Sequence, residues 1–194
     1  MITSVITIDP FNDKSLAVEI LFTVSNLFKR FSEMGYFIRG GIDFGWMLDE
    51  EDIAFGVPLA NAYLMESTQA IYPRIIISNK FVQFLNGFGL NDQDAFNKEN
   101  FLKSSREINH INPFYNVIKT DDKTGFFSEY KNVIKKALQQ SQQEENIHVK
   151  FKWLAIEYNY FLEKYIDNIT FYEQDTSFEK EEIDKLKTLK ITQL

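Results

Sequence analysis

The chain is 194 residues long with 44% hydrophobic and 25% charged residues, the proportions of an ordinary globular protein. At that length roughly 70% of the unfolded surface can be buried without a covalent staple, which excludes global disorder, collagen and low-complexity architectures. The formal charge is −7, and the lack of cysteine excludes disulfides, thiolate metal sites and cysteine nucleophiles and fits a reducing cytoplasm.

Residues 3–8, TSVITI, are β-branched and end at Asp9-Pro10, the pattern of a strand and a turn. Asn12 or Asp13 is placed to cap a helix whose apolar positions are Leu16, Ile20, Leu21, Val24, Leu27, Phe28 and Phe31, and Gly35 supplies its stop. YFIRGGIDFGWML (36–48) reads as an extended segment, the acidic run 49–52 as a solvated turn, and IAF (53–55) as a second strand. Gly56 precedes a helix, VPLANAYLMESTQAI, with Pro58 in its first turn. RIIIS (74–78) is apolar enough for the centre of a sheet, and Asn79 to Phe88 predicts a short helix. Residues 90–112 are polar and read as a surface excursion, PFYNVIK (113–119) as a strand, and DDKTG (121–125) as a turn. Amphipathic helices are expected at about 126–141 and 147–166. Thr176 to Glu179 reads as a capping box that predicts the start of a short charged helix. The order predicts one α+β domain: a mixed, mainly antiparallel sheet layered with helices over 1–120, and a helical part packed on it over 121–194.

Residues 1–60 carry 9 acids and 4 bases, 61–120 carry 5 and 6, and 121–194 carry 14 and 11. No third has the basic footprint of nucleic-acid binding. A pocket for one small nucleotide needs only two or three placed cations, so it stays open. No apolar run reaches the roughly 18 residues of a membrane span, and MITSVITIDPFNDK lacks the basic start and apolar stretch of a signal peptide. The expectation is therefore a cytoplasmic protein without membrane or nucleic-acid partners. The 19 Phe, 9 Tyr and 2 Trp point to a Phe-rich core rather than an aromatic ligand cage.

Ile38-Arg39-Gly40-Gly41-Ile42-Asp43-Phe44-Gly45, then Phe55-Gly56 and a helix with Ala62-Tyr63-Leu64-Met65-Glu66-Ser67, resembles the heart of the class III adenylate/guanylate cyclase fold. The pattern is similar to a group of bacterial cyclase-like proteins, with Tyr72-Pro73-Arg74-Ile75, Lys152-Trp153-Leu154 and Tyr158-Asn159 as further matching positions. The resemblance implies a palm-like α+β sheet and, in active members, two divalent metal ions on paired aspartates that activate a ribose hydroxyl. Aligned on the Arg39 strand, the metal-bearing first strand of that family falls ahead of Met1. Val57, Ala60 and Leu64 then stand where the family places Asp, a transition-state Asn and a phosphate-neutralising Arg, and leucine cannot neutralise charge. Asn61 lies one position, about 100°, away from that Asn.

Arg39 and Arg74, on strands expected to be neighbours, are candidates to grip a phosphate; pairing with Glu66, Asp43 or other carboxylates is the structural alternative. Asp43, between glycines, is a candidate for the same ligand and the weak candidate for magnesium or manganese; otherwise it pairs with an arginine. No catalytic residue is assigned, and no cofactor unless the metals are retained. Gly40, Gly41 and Gly45 do not form a phosphate loop; a bulge or room for a neighbouring helix accounts for them. His110 and His148 read as surface or capping residues, and no serine sits in a G-x-S-x-G elbow. The aromatic helices leave a face for a homodimer or a partner protein.

The preferred expectation is a non-catalytic cyclase-like binding or interaction module of a bacterial or phage system, in nucleotide signalling or phage defence. The alternative is an active nucleotidyl cyclase or phosphoryl-transfer enzyme with acids from Asp43, Asp9, Asp13 or a partner chain. A helix-rich scaffold from a mobile bacterial system is the third reading.

Overall fold

Apolar residues recurring every three or four positions from Ile20 to Phe31 have the period of a helix. In the computed structural model they lie on α1 (Lys14–Glu33), with Leu21 and Phe28 fully buried. Gly35 ends it at φ +84°, a conformation that costs glycine nothing. The amides of Gly35 and Tyr36 return to the carbonyls of Ser32 and Phe31 at 2.8 and 2.9 Å. The structure describes residues 14–50, 53–87, 102–105, 108–115, 117, 120–172 and 180–192. The strand expected at 3–8, Asp9, Asp13 and the capping box at 176–179 lie outside the described residues.

The chain forms two compact units, one of residues 1–28 and 38–115, the other of residues 29–37 and 116–194. After α1 the first contains β1 (Gly40–Ile42), β2 (Leu48–Glu50), β3 (Ile53–Phe55), α2 (Val57–Thr68), β4 (Ile75–Ile77), α3 (Asn79–Asn86), β5 (Leu102–Ser105) and β6 (Ile108–Ile111). Four strands form a sheet in the order β1-β4-β6-β5. β1 runs parallel to β4 with Gly40 opposite Ile75, while β6 is antiparallel to both β4 and β5. The architecture is α+β, with a mixed, mainly antiparallel sheet. All three isoleucines of β4 are buried, as a central strand requires. β2 and β3 form a separate two-stranded ribbon.

A parallel pair needs a crossover, and here α2 provides it. The helix lies so close to β1 that a Cβ on Gly41 would sit 2.2 Å from the Ala62 carbonyl oxygen. Only a residue without a side chain permits that approach. Room for a neighbouring helix is thus the reason for this glycine.

Four local expectations are corrected. Asp49 and Glu50 belong to β2 rather than to a turn. The stretch read as a loop at 90–112 contains β5 and β6, paired from Leu102–Ile111 to Ser105–Ile108. Where a strand was expected at 113–119, the described residues 113–115 and 117 form instead a turn followed by short 3₁₀ geometry. Buried Asn112 accepts the Phe114 amide at 3.1 Å, and this Asx turn with Pro113 bends the chain out of the sheet. DDKTG opens a helix: Asp122 accepts the Gly125 amide at 2.7 Å, and a Cβ on Gly125 would collide with that capping carboxylate.

The second unit holds α4 (Lys123–Gln140), α5 (Glu145–Tyr172) and α6 (Lys180–Thr188), the first two longer than expected. Phe127 is its aromatic hub, with the rings of Tyr165, Phe126, Tyr158 and Phe161 centred 5.4 to 6.2 Å away. Much of the aromatic excess is therefore core. Tyr158 donates to the Phe127 carbonyl at 2.9 Å. Asn159 clamps the segment after α6 at both ends of its amide, donating to the Ile191 carbonyl and accepting its N–H, both at 2.8 Å.

Gly41→Ala is expected to cost about 3 kcal/mol or to prevent folding, because backbone rather than a flexible side chain must move. Gly40→Ala, whose Cβ would meet Ile75 at an ordinary 3.5 Å, should cost under about 1 kcal/mol. Urea titration of both variants checks this, and equal tolerance would refute the close approach.

Burial, aided by Glu33 and only partly opposed by a hydrogen bond from Ser32, holds the Tyr130 hydroxyl far above the ordinary tyrosine value of 10.0. Burial does the same to Tyr158. The folded state keeps these protons longer than the unfolded chain does. Their stabilisation is whole below pH 10.0 and is lost as the pH rises past it. Unfolding titrations from neutral into alkaline pH should show a falling stability that flattens in Tyr130→Phe; an unchanged slope in that variant would refute this.

Candidate functional site

The three candidate residues gather around α2. Arg39 and Arg74 immediately precede the paired strands β1 and β4, and the Gly40 amide donates to the Arg74 carbonyl at 3.3 Å. The two arginines therefore enter the sheet at the same end. Arg39 pairs through Nη2 with Glu66 Oε1 at 2.7 Å and donates from Nη1 to the Ala70 carbonyl at 3.3 Å. Arg74 is only 5% exposed. Its Nη2 donates to the Gln69 carbonyl at 3.2 Å, and its guanidinium lies 5.6 Å from the Tyr72 ring centre.

Glu66 is in the last turn of α2, and Gln69 and Ala70 follow it. Both guanidinium groups thus meet the helix where its terminal carbonyls concentrate negative partial charge. α2 has no basic residue in its own last turn, so the cations come from the strands. The carboxylate pairing weighed for Arg39 is present in the structure, while a backbone carbonyl engages Arg74.

Asp43 follows β1. Its Oδ2 accepts from Asn61 Nδ2 on α2 at 2.9 Å, while Oδ1 is shielded from solvent and has no hydrogen-bond partner among the described residues. Asn61, set aside at the sequence level as misplaced for transition-state work, is thus the side chain that reaches Asp43. Among the described residues no arginine pairs with Asp43. Among the described residues no three of His, Asp and Glu come close enough together to hold a metal ion. One carboxylate bonded to one carboxamide does not fit a two-metal centre.

His110 is corrected from surface residue to core residue. It sits on β6 opposite Ile76 and is 1% exposed. His148, half-buried on α5, shares a hydrogen bond with Ser141 Oγ at 3.1 Å.

The outward side of α2 is apolar. Pro58 and Met65 are its buried residues, which turns Val57, Ala60 and Leu64, spaced three and four apart, toward solvent on one face. Val57 is 71% exposed and Leu64 54%. Just before α2 the ribbon adds Phe55 at 74% and, across the pair, Leu48; Ile53 is also exposed, and Trp46 is 97% exposed. Phe44 instead turns inward, stacked on Phe84 at 4.1 Å. The available signal was length: strands of three residues cannot bury a tryptophan, a phenylalanine and two aliphatic side chains by themselves.

Comparison with protein-family models, curated proteins and solved structures found no match to the chain. No helix among the described residues is long and apolar enough to cross a membrane.

Arg74→Ala is expected to cost about 3 kcal/mol, because it strips a buried helix end of its donor. Arg39→Ala, at a half-exposed ion pair, should cost about 1 kcal/mol or less. Chemical denaturation of the two variants separates them; a mild Arg74→Ala would contradict the capping role.

Proposed function

We propose that the chain is a non-catalytic binding and interaction module on a cyclase-like α+β sheet, and that it pairs with a second copy of itself through the ribbon and the outer face of α2. The observation that carries this reading is the exposure of Val57, Ala60 and Leu64. In the resembled cyclases those positions face the nucleotide with an acid, an amide and a guanidinium. Here they offer only methyl and methylene groups, which cannot stabilise developing phosphate charge but do favour removal from water.

Several observations support a second copy as the occupant. Trp46, Leu48, Ile53, Phe55, Val57 and Leu64 together expose on the order of 700 Å², close to the ~800 Å² each partner gives a standard interface. A two-stranded ribbon is marginal in water and gains from added strands. The outer edges of β2 and β3 carry no strand among the described residues, and two such ribbons related by a two-fold axis complete a four-stranded sheet. Arg39 and Arg74 support the same reading, because the helix end uses the donors that a phosphate would need.

Sedimentation should show a particle of twice the 22.8 kDa chain mass at about 50 µM. Leu64→Glu and Phe55→Ser should each give a monomer, and such exposed sites should change stability by only about 0.5 kcal/mol. A wild-type monomer at that concentration, or variants that still pair, refutes the interface. Formation of a cyclic product from ATP or GTP with manganese by the purified chain refutes the non-catalytic assignment and favours the cyclase alternative.

A further inference from the structure

The second unit contains a cleft of about 600 Å³, within the range of small-molecule sites. Its walls are α4, the start of α5 and the segment after α6. Lys131, Lys135, Lys152, Lys190 and His148 all line it, and no Asp or Glu does among the described residues. Residues 121–194 carry more acids than bases, yet four of their eleven bases converge on this one concavity. Such crowding is electrostatically unfavourable unless an anion relieves it.

The helical spacing builds the site. Lys131 and Lys135 are one turn apart on α4, as are His148 and Lys152 on α5, so each pair shares a face. Lys190 is held in place by the Asn159 clamp on its neighbour Ile191. Two of the lysines are engaged at the rim: Lys190 with Glu163, and Lys131 with the Thr188 carbonyl at 2.9 Å. Lys135 and Lys152 have no carboxylate or carbonyl partner among the described residues. The amides of Gln139 and Gln142 and the apolar surfaces of Leu138 and Ile191 complete the lining.

We infer that this cleft binds a small molecule carrying two or more linked phosphates, the chemistry shared by nucleoside polyphosphates and inorganic oligophosphate. A single phosphate engages at most two or three ammonium groups, whereas a chain of them spans the lysines of both helices. Burial and then the neighbouring charge of Lys135 lower the pKa of the Lys131 ammonium, and a bound polyanion would oppose that shift. The site lies wholly within the second unit, whereas the proposed pairing face belongs to the first.

Calorimetric titration of the full chain at about 0.1 M salt with inorganic tripolyphosphate, ATP and orthophosphate tests the inference. Tripolyphosphate should bind at least about tenfold more tightly than orthophosphate. Lys135→Ala and Lys152→Ala should each weaken it by about tenfold, with unchanged circular dichroism. Lys136→Ala, outside the cleft, should leave the affinity as it is. Tighter binding of ATP than of tripolyphosphate, lost in Gln142→Ala, identifies a nucleotide; equal binding identifies the phosphate chain alone, and either upholds the site. The inference is overturned if tripolyphosphate binds no better than orthophosphate, if both cleft variants bind like the parent chain, or if only single-stranded nucleic acid binds and tripolyphosphate does not displace it.

Discussion

The docking of α2 on β1 is the constraint on which the first unit depends. Gly41 lets the helix backbone approach the strand, Asp43 bonds to Asn61 midway along the helix, and Arg39 and Arg74 neutralise its end. Each of these residues belongs to the strand side, and together they fix the helix in position and rotation. Once Pro58 and Met65 are turned inward, the rotation leaves Val57, Ala60 and Leu64 outside. The same contacts thus set both the fold and the chemical character of the surface it presents.

This arrangement explains why chemically suggestive side chains at the sheet end need not signal reactivity. Arginine beside a glycine-rich strand satisfies the formal requirements of a phosphate grip, and it also satisfies those of a helix whose last turn lacks a cation. Burial distinguishes the two uses. A guanidinium as enclosed as that of Arg74 is positioned by backbone carbonyls and a tyrosine ring, while a ligand grip needs donors directed to open space. Lys135 and Lys152, which line the cleft of the second unit without a carboxylate or carbonyl partner among the described residues, have that opposite character.

Much of the fold was legible where periodicity and punctuation agreed. The 3.6-residue pattern places α1, α4 and α5, β-branched isoleucines mark β4, and Gly35 and Pro58 set helix ends. The β5–β6 hairpin was hidden because LKSS and INHI have neither alternation nor a strong apolar run, and their pairing is decided by the neighbouring β4. At 121–125 a glycine suggested a turn, although its missing side chain makes room for the Asp122 cap. Arg39, Arg74 and Asp43 were recognisable as special from their types and spacing, but their partners on α2 were not. The lysine cleft was obscured by averaging: charge counted along the sequence sums acids and bases that the helices send to different faces.

The two-ended grip of Asn159 on Ile191 has a consequence of its own. The strap it fastens supplies one wall of the lysine cleft, so filling the cleft and seating the strap are thermodynamically linked. A chain without Lys190 and Ile191 loses one wall of the cleft together with the anchor that orients it.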